Sequence, residues 1–149
     1  MFNPTRDRWS LLTYKAQQKV NALQESLGAA QQQLEQFRAS EQRLSAMLVE
    51  YQAQYASDVA QSHLVADALN QRQFMAQLTQ LVGHAKQKVS AAHAQLAQIR
   101  KTLLAAQLEL SKCEKLEAHA REQERAQEKR REQRAMDDLA IIRHQWRQV

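Results

Sequence analysis

Twelve apolar residues, Leu78, Val82, Ala85, Val89, Ala92, Leu96, Ile99, Leu103, Ala106, Leu110, Cys113 and Ala120, recur at alternating steps of four and three, broken only by Glu117. Such a heptad seam falls on one narrow stripe of an α-helix, and a stripe held for about six heptads requires a second helix to cover it. The composition removes most other solutions. The 149 residues include two glycines, one proline and 5% aromatic residues, and Gln, Ala, Leu, Glu, Arg and Lys dominate. With a mean hydropathy of −0.67 the chain has too few large side chains for a compact core, which points to an all-α coiled coil.

A partner seam lies upstream. Asn3 followed by Pro4 is a helix start, because Asn caps free N–H groups and Pro suits the first helical position. From there Trp9, Ala16, Leu23, Ala30, Phe37, Leu44 and Tyr51 repeat at one heptad position, and Val20, Leu27, Leu34, Leu48 and Tyr55 at the other, with Thr13 and Glu41 as polar members. Gly28 sits beside this seam, either as a tolerated glycine costing about 1 kcal/mol or as a site of close approach. The expected helices are residues 4–57 and 69–146, joined by a turn region at 58–68 that offers Ser57, Asp58, Ser62 and Asp67 as caps but no glycine or proline. Folding back there pairs residues whose numbers add to roughly 125 to 130 and sets Trp9 against residues 115–121, where the second seam ends. The matching lengths favour a single-domain intramolecular antiparallel hairpin with an overhanging C-terminal helix. A parallel homodimeric scaffold is the competing architecture.

Beyond Ala120 the seam stops. Residues 121–134 carry six basic and four acidic side chains around the helix, and Met136, Leu139, Ile142 and Trp146 then restore an apolar face. This face either folds back near Phe2 and Trp9 or docks in a groove or pore of another protein, with Ile142 and Trp146 as anchors and Arg143 and Arg147 at the rim. In a hairpin both termini share an end, so Trp9 and Trp146 are candidates for one docking surface. Near the turn, Leu48, Tyr51 and Tyr55 meet Phe74, Leu78 and Leu81, as closure of the coiled coil or as a small binding platform.

Other function classes find little support. Residues 68–108 hold five cations and no carboxylate, but Arg72, Lys86, Lys88, Arg100 and Lys101 are too dispersed for a nucleic-acid footprint; a solvated face or an acidic protein partner fits better. His63, His84, His93, His119 and His144 lack metal-site spacing, and no phosphate loop is present, so neither catalysis nor a cofactor is expected. Cys113, the sole cysteine, occupies a seam position and reads as a small apolar core residue. The N-terminal MFNPTRDRWS lacks the pattern of a cleavable signal, and no run approaches the roughly 18 apolar residues of a membrane span, so a cytosolic protein is expected.

The run Met47-Leu48-Val49-Glu50-Tyr51-Gln52-Ala53-Gln54-Tyr55, then Gln73-Phe74 and Leu78, then Glu128-Lys129-Arg130-Arg131-Glu132-Gln133 and Met136-Asp137-Asp138-Leu139-Ala140, resembles the FliJ family of flagellar export proteins in the same order over nearly the whole chain. Its most specific parts are the Leu-x-x-Tyr-x-x-x-Tyr element and the Arg-Glu-Gln-Arg-x-Met-Asp-Asp element. The resemblance implies an antiparallel coiled coil similar to the stalk of rotary ATPases. It further implies a monomer at the cytoplasmic face of the inner-membrane export apparatus, reaching the membrane only through partners. Those partners would be the hexameric export ATPase, whose ring assembly the family promotes, the export gate protein FlhA, and export chaperones. Carried onto this sequence, Leu48, Tyr51, Tyr55, Phe74 and Leu78, with neighbouring Leu81, become candidates for the gate. Arg130, Arg131, Arg134, Met136, Leu139, Ile142, Arg143 and Trp146, with Trp9, become candidates for the ATPase. Stalk proteins of virulence type III secretion systems share the architecture and remain the nearest alternative.

Overall fold

The computed structural model describes residues 3–61 and 65–149, which form two helices, α1 (Pro4–Gln61) and α2 (Val65–Arg147). The start of α1 follows from its first residues. The Asn3 side chain accepts the Thr5 N–H at 3.2 Å, the Asn3 carbonyl accepts the Asp7 N–H at 3.0 Å, and Asp7 places negative charge in the first turn. Both helices outrun their expected limits. Ser57 and Asp58 lie inside α1 and Asp67 inside the first turn of α2, because no glycine or proline interrupts residues that otherwise favour helix. The remaining cap candidate, Ser62, and the segment 62–64 lie outside the described residues.

Contacts group the described residues into two units, one spanning Leu23–Leu103 and the other drawn from Met1–Ala22 and Leu104–Val149. In the first, Ala30 and Leu34 of α1 bury themselves against Ala92 and Leu96 of α2, flanked by Leu27, Phe37, Val89 and Ile99. All eight were expected on the two seams. Each buried leucine is worth about 1.5–3 kcal/mol, and the facing alanines leave room for the helices to approach. Partners across the helices run in opposite numerical order: Phe37 with Lys88, Arg38 with His93, Tyr51 with Phe74, Tyr55 with Arg72 and Asp58 with Gln71. Their numbers add to between 125 and 131, close to the range that folding back in residues 58–68 requires.

Gly28 is a tolerated glycine. A Cβ built there meets no heavy atom within 4 Å, and no glycine has a positive φ. Gly28→Ala is therefore expected to stabilise the protein by about 1 kcal/mol, seen as a higher melting temperature. A lower one would reveal a contact at this position that the structure does not contain.

In the second unit Val20, Ala106, Cys113 and Ala120 are buried, and Trp9, Thr13, Ala16 and Leu110 are half-buried around them. Cys113 thus behaves as a small apolar seam residue. Glu117, the break in the seam, is accommodated by an ion pair one turn on, its carboxylate accepting Arg121 Nη2 at 2.7 Å. Thr13 keeps a buried hydroxyl that has no hydrogen-bond partner among the described residues. Farther along, Arg6 of α1 donates to Glu124 of α2 at 3.3 Å.

Candidate functional sites

From Arg125 to Val149 every residue of α2 and its end is exposed, although the helix continues unbroken to Arg147. A helix without an apolar face through residues 125–134 persists on propensity and local side-chain pairs, each worth only about 0.2–0.5 kcal/mol. One such pair, Gln133 Nε2 to Asp137 at 3.1 Å, bridges into the apolar segment. There Met136, Leu139, Ile142 and Trp146 stand at three- and four-residue spacing, between 49% and 79% exposed, so they form one uncovered stripe. Met136, Leu139, Ala140, Arg143, His144 and Arg147 line a shallow groove on its basic side.

The structure revises one expectation at this end. Trp9 is a half-buried seam residue three positions past Arg6, on the seam side of the Arg6–Glu124 bridge, whereas Trp146 lies 22 positions past Glu124 in the other direction on a continuous helix. At 1.5 Å per residue that is about 33 Å, so the two indoles do not share a surface. Nor do Met136 to Trp146 fold back onto α1, since a helix continuous to Arg147 cannot reverse. Phe2, the other residue expected to receive them, lies outside the described residues. Arg130, Arg131, Arg134 and Arg143 are exposed and make no ion pair among the described residues.

The aromatic cluster belongs to the Leu23–Leu103 unit. The Tyr51 and Phe74 rings meet edge to face with centroids 4.9 Å apart and planes at 67°, yet 38% and 44% of the two residues stay exposed. Tyr55 lies one turn farther along α1, where its hydroxyl accepts Arg72 Nε at 3.1 Å. That hydrogen bond favours the charged guanidinium and raises the Arg72 pKa above its ordinary value. Gln71 Nε2 donates to Asp58 at 3.2 Å beside it. Together Tyr51, Gln54, Tyr55, Asp58, Asn70, Gln71, Phe74 and Met75 line an open cleft of about 250 Å³.

The six candidates near the turn therefore divide. Tyr51, Tyr55 and Phe74 converge on the cleft, half-buried Leu48 lies one turn before Tyr51, Leu78 is buried in the seam, and Leu81 is exposed without lining the cleft. Sequence reasoning missed the polar wall of Asp58 and Gln71 and the Arg72 hydrogen bond to Tyr55 beside it. The pairing arithmetic would have found it, since Asp58 with Gln71 and Tyr55 with Arg72 obey the same rule as the apolar partners.

The described residues contain no group of three or more His, Cys, Asp or Glu side chains able to hold a metal ion, and no helix long and apolar enough to cross a membrane. What the two sites offer is contact area: an apolar stripe with basic neighbours, and an aromatic cleft with a polar wall. A family model described as Flagellar FliJ protein matches residues 7–148. No curated protein matches the chain at a significant level, and no solved structure does.

Proposed function

The chain belongs to the FliJ family, and on that premise we propose that it is a non-enzymatic stalk and adaptor of the flagellar type III export apparatus, folded as one antiparallel coiled-coil hairpin. The observation that carries this reading is the bare stripe of Met136, Leu139, Ile142 and Trp146 on a helix that outlasts its partner. An uncovered line of large apolar side chains is what a helix-in-groove interface requires. The stripe docks on the hexameric export ATPase and promotes its ring assembly, with Arg130, Arg131, Arg134 and Arg143 supplying charge at the rim. Trp9 has no part in that surface. The test is the affinity of the full chain for the ATPase; binding that survives loss of the stripe would sink the proposal.

The second contact is the aromatic cleft, which receives the export gate protein FlhA at the cytoplasmic face of the inner membrane. Exposed Tyr and Phe rings beside Arg72 combine apolar area with directional hydrogen bonds, the composition of interface hot spots. Tyr51, Tyr55 and Phe74 make the contact, Leu48 and Leu78 belong to the seams next to it, and Leu81 lies at the margin. Phe74→Ala is expected to lower gate affinity by roughly tenfold or more while leaving helical content unchanged, with a modest fall in melting temperature from the lost edge-to-face contact with Tyr51. Binding assays on the purified gate domain, with a thermal melt of the variant, check both parts.

With one site for each partner, the nucleotide state of the ATPase biases gate affinity to the extent that the stripe binds the ring's states differently. The family match favours the flagellar apparatus over a virulence secretion system. Export chaperones are further candidates for either surface.

A further inference from the structure

We propose that the terminal segment of α2 also pairs with a second copy of itself, in antiparallel orientation, through a socket that the start of α1 builds against α2. Asn3 and Pro4, together with Glu124, Gln127, Glu128, Arg131, Glu132 and Ala135, line a groove of about 560 Å³. Ala135, one of its lining residues, is the smallest residue on the row that continues through Leu139, Ile142 and Trp146 at steps of four, three and four. The groove is ample for an indole, and the stripe ends in one.

The register that sets Trp146 of one copy opposite Ala135 of the other also sets Ile142 opposite Leu139, twice over by symmetry. Each large side chain then faces a smaller or equal one. At the positions flanking this row the same register places Met136 near Arg143, Asp138 near Gln145, and Arg147 near Glu132, so none of these three pairs joins like charges and one is opposite in sign. Glu128, Glu132, Arg143 and Arg147 make no ion pair among the described residues, so all four are available. Arg131 at the groove wall can stack its guanidinium on the incoming ring.

Area sets the strength of such a pair. Covering Met136, Leu139, Ile142 and Trp146 on both copies removes roughly 1,000 Å² of surface, the lower bound for a specific interface, so the dimer is reversible. The monomer expected from the sequence is the form released when the tails part. Self-pairing hides the stripe assigned above to the ATPase, so the two complexes exclude each other. The argument for pairing rests on the socket and is independent of that assignment.

The experiment is sedimentation velocity on the full chain from low to high micromolar concentration, for the wild type and for Ala135→Arg, which fills the socket and leaves Trp146 untouched. The wild type is expected to shift from monomer to dimer, and the variant to need roughly tenfold or more protein for the same shift. In a Cys113→Ser background, Met136→Cys and Arg143→Cys chains are expected to form a disulfide when mixed and not when alone. A wild type that stays monomeric overturns the proposal. So does a dimer that Ala135→Arg leaves intact, or one whose variants cross-link each alone as a parallel pair would. ATPase affinity measured on the same wild-type sample separates the two readings: binding by a chain that never dimerises leaves the ATPase proposal standing and removes this one.

Discussion

Replacing Ile142 and Trp146 together with Ser should weaken association with the export ATPase by roughly a hundredfold while leaving helical content and melting temperature almost unchanged. The two halves of that expectation come from the same measurement of exposure. Ile142 is 49% and Trp146 79% exposed, so the free chain has little packing to lose. Serine also costs an α-helix only a few tenths of a kcal/mol relative to these residues. In the complex the balance reverses. Removing a buried tryptophan anchor typically costs 2 kcal/mol or more, and an isoleucine adds about 1 kcal/mol or more, which together span about two decades in affinity. Circular dichroism with a binding titration separates the outcomes. Loss of helix would place these residues in the fold of the free protein, and undiminished binding would move the ATPase site elsewhere.

Much of the fold was legible because a coiled coil writes its contacts into a short period. Seam positions such as Leu34, Val82, Leu96 and Ala120 are buried as their spacing required, and the polar members Thr13 and Glu41 are half-buried, as positions on the stripe must be. Helix ends were less legible. Capping residues such as Ser57 and Asp58 are compatible with helix when nothing forces a turn, so local preference alone could not stop α1 at residue 57. The candidate sites split along the same line. Tyr51 and Phe74 were found because aromatics stand out near the end of a seam, whereas Asp58, Gln71 and Arg72 carry no periodic signal and emerge only from pairing across the helices.

The same cross-helix view accounts for two of the five cations of residues 68–108. Arg72 donates to Tyr55, and Lys88 Nζ lies 5.8 Å from the Phe37 ring centroid, so two of the five are engaged by aromatic residues of α1. Residues 23–58 of α1 in turn carry Glu25, Glu35, Glu41, Glu50 and Asp58 against only Arg38 and Arg43. Opposite net charge on the two stretches favours α1 with α2 over α2 with α2 at modest ionic strength. This weighs against a homodimer built along the seams. It leaves intact a weak dimer confined to the C-terminal segment, where acidic and basic residues alternate on one helix.

Leu103 and Leu104, adjacent in sequence and identical in chemistry, should differ sharply on truncation: Leu103→Ala is expected to cost about 2–4 kcal/mol of stability and Leu104→Ala less than about 0.5 kcal/mol. Leu103 is 9% exposed and Leu104 60% exposed, a consequence of a 100° rotation between neighbours on one helix. Truncating Leu103 removes buried methyl groups and opens a cavity that a seam of small residues, Ala106 among them, fills poorly. Truncating Leu104 removes groups already in water and improves helix propensity slightly. Urea denaturation of both variants reads the difference directly as a shift in midpoint at unchanged slope. Equal losses would mean that a second surface covers the outer face of α2 in solution. The reverse order would mean that the seam is out of register by one residue, and the facing pairs from Phe37 with Lys88 to Asp58 with Gln71 would then require reassignment.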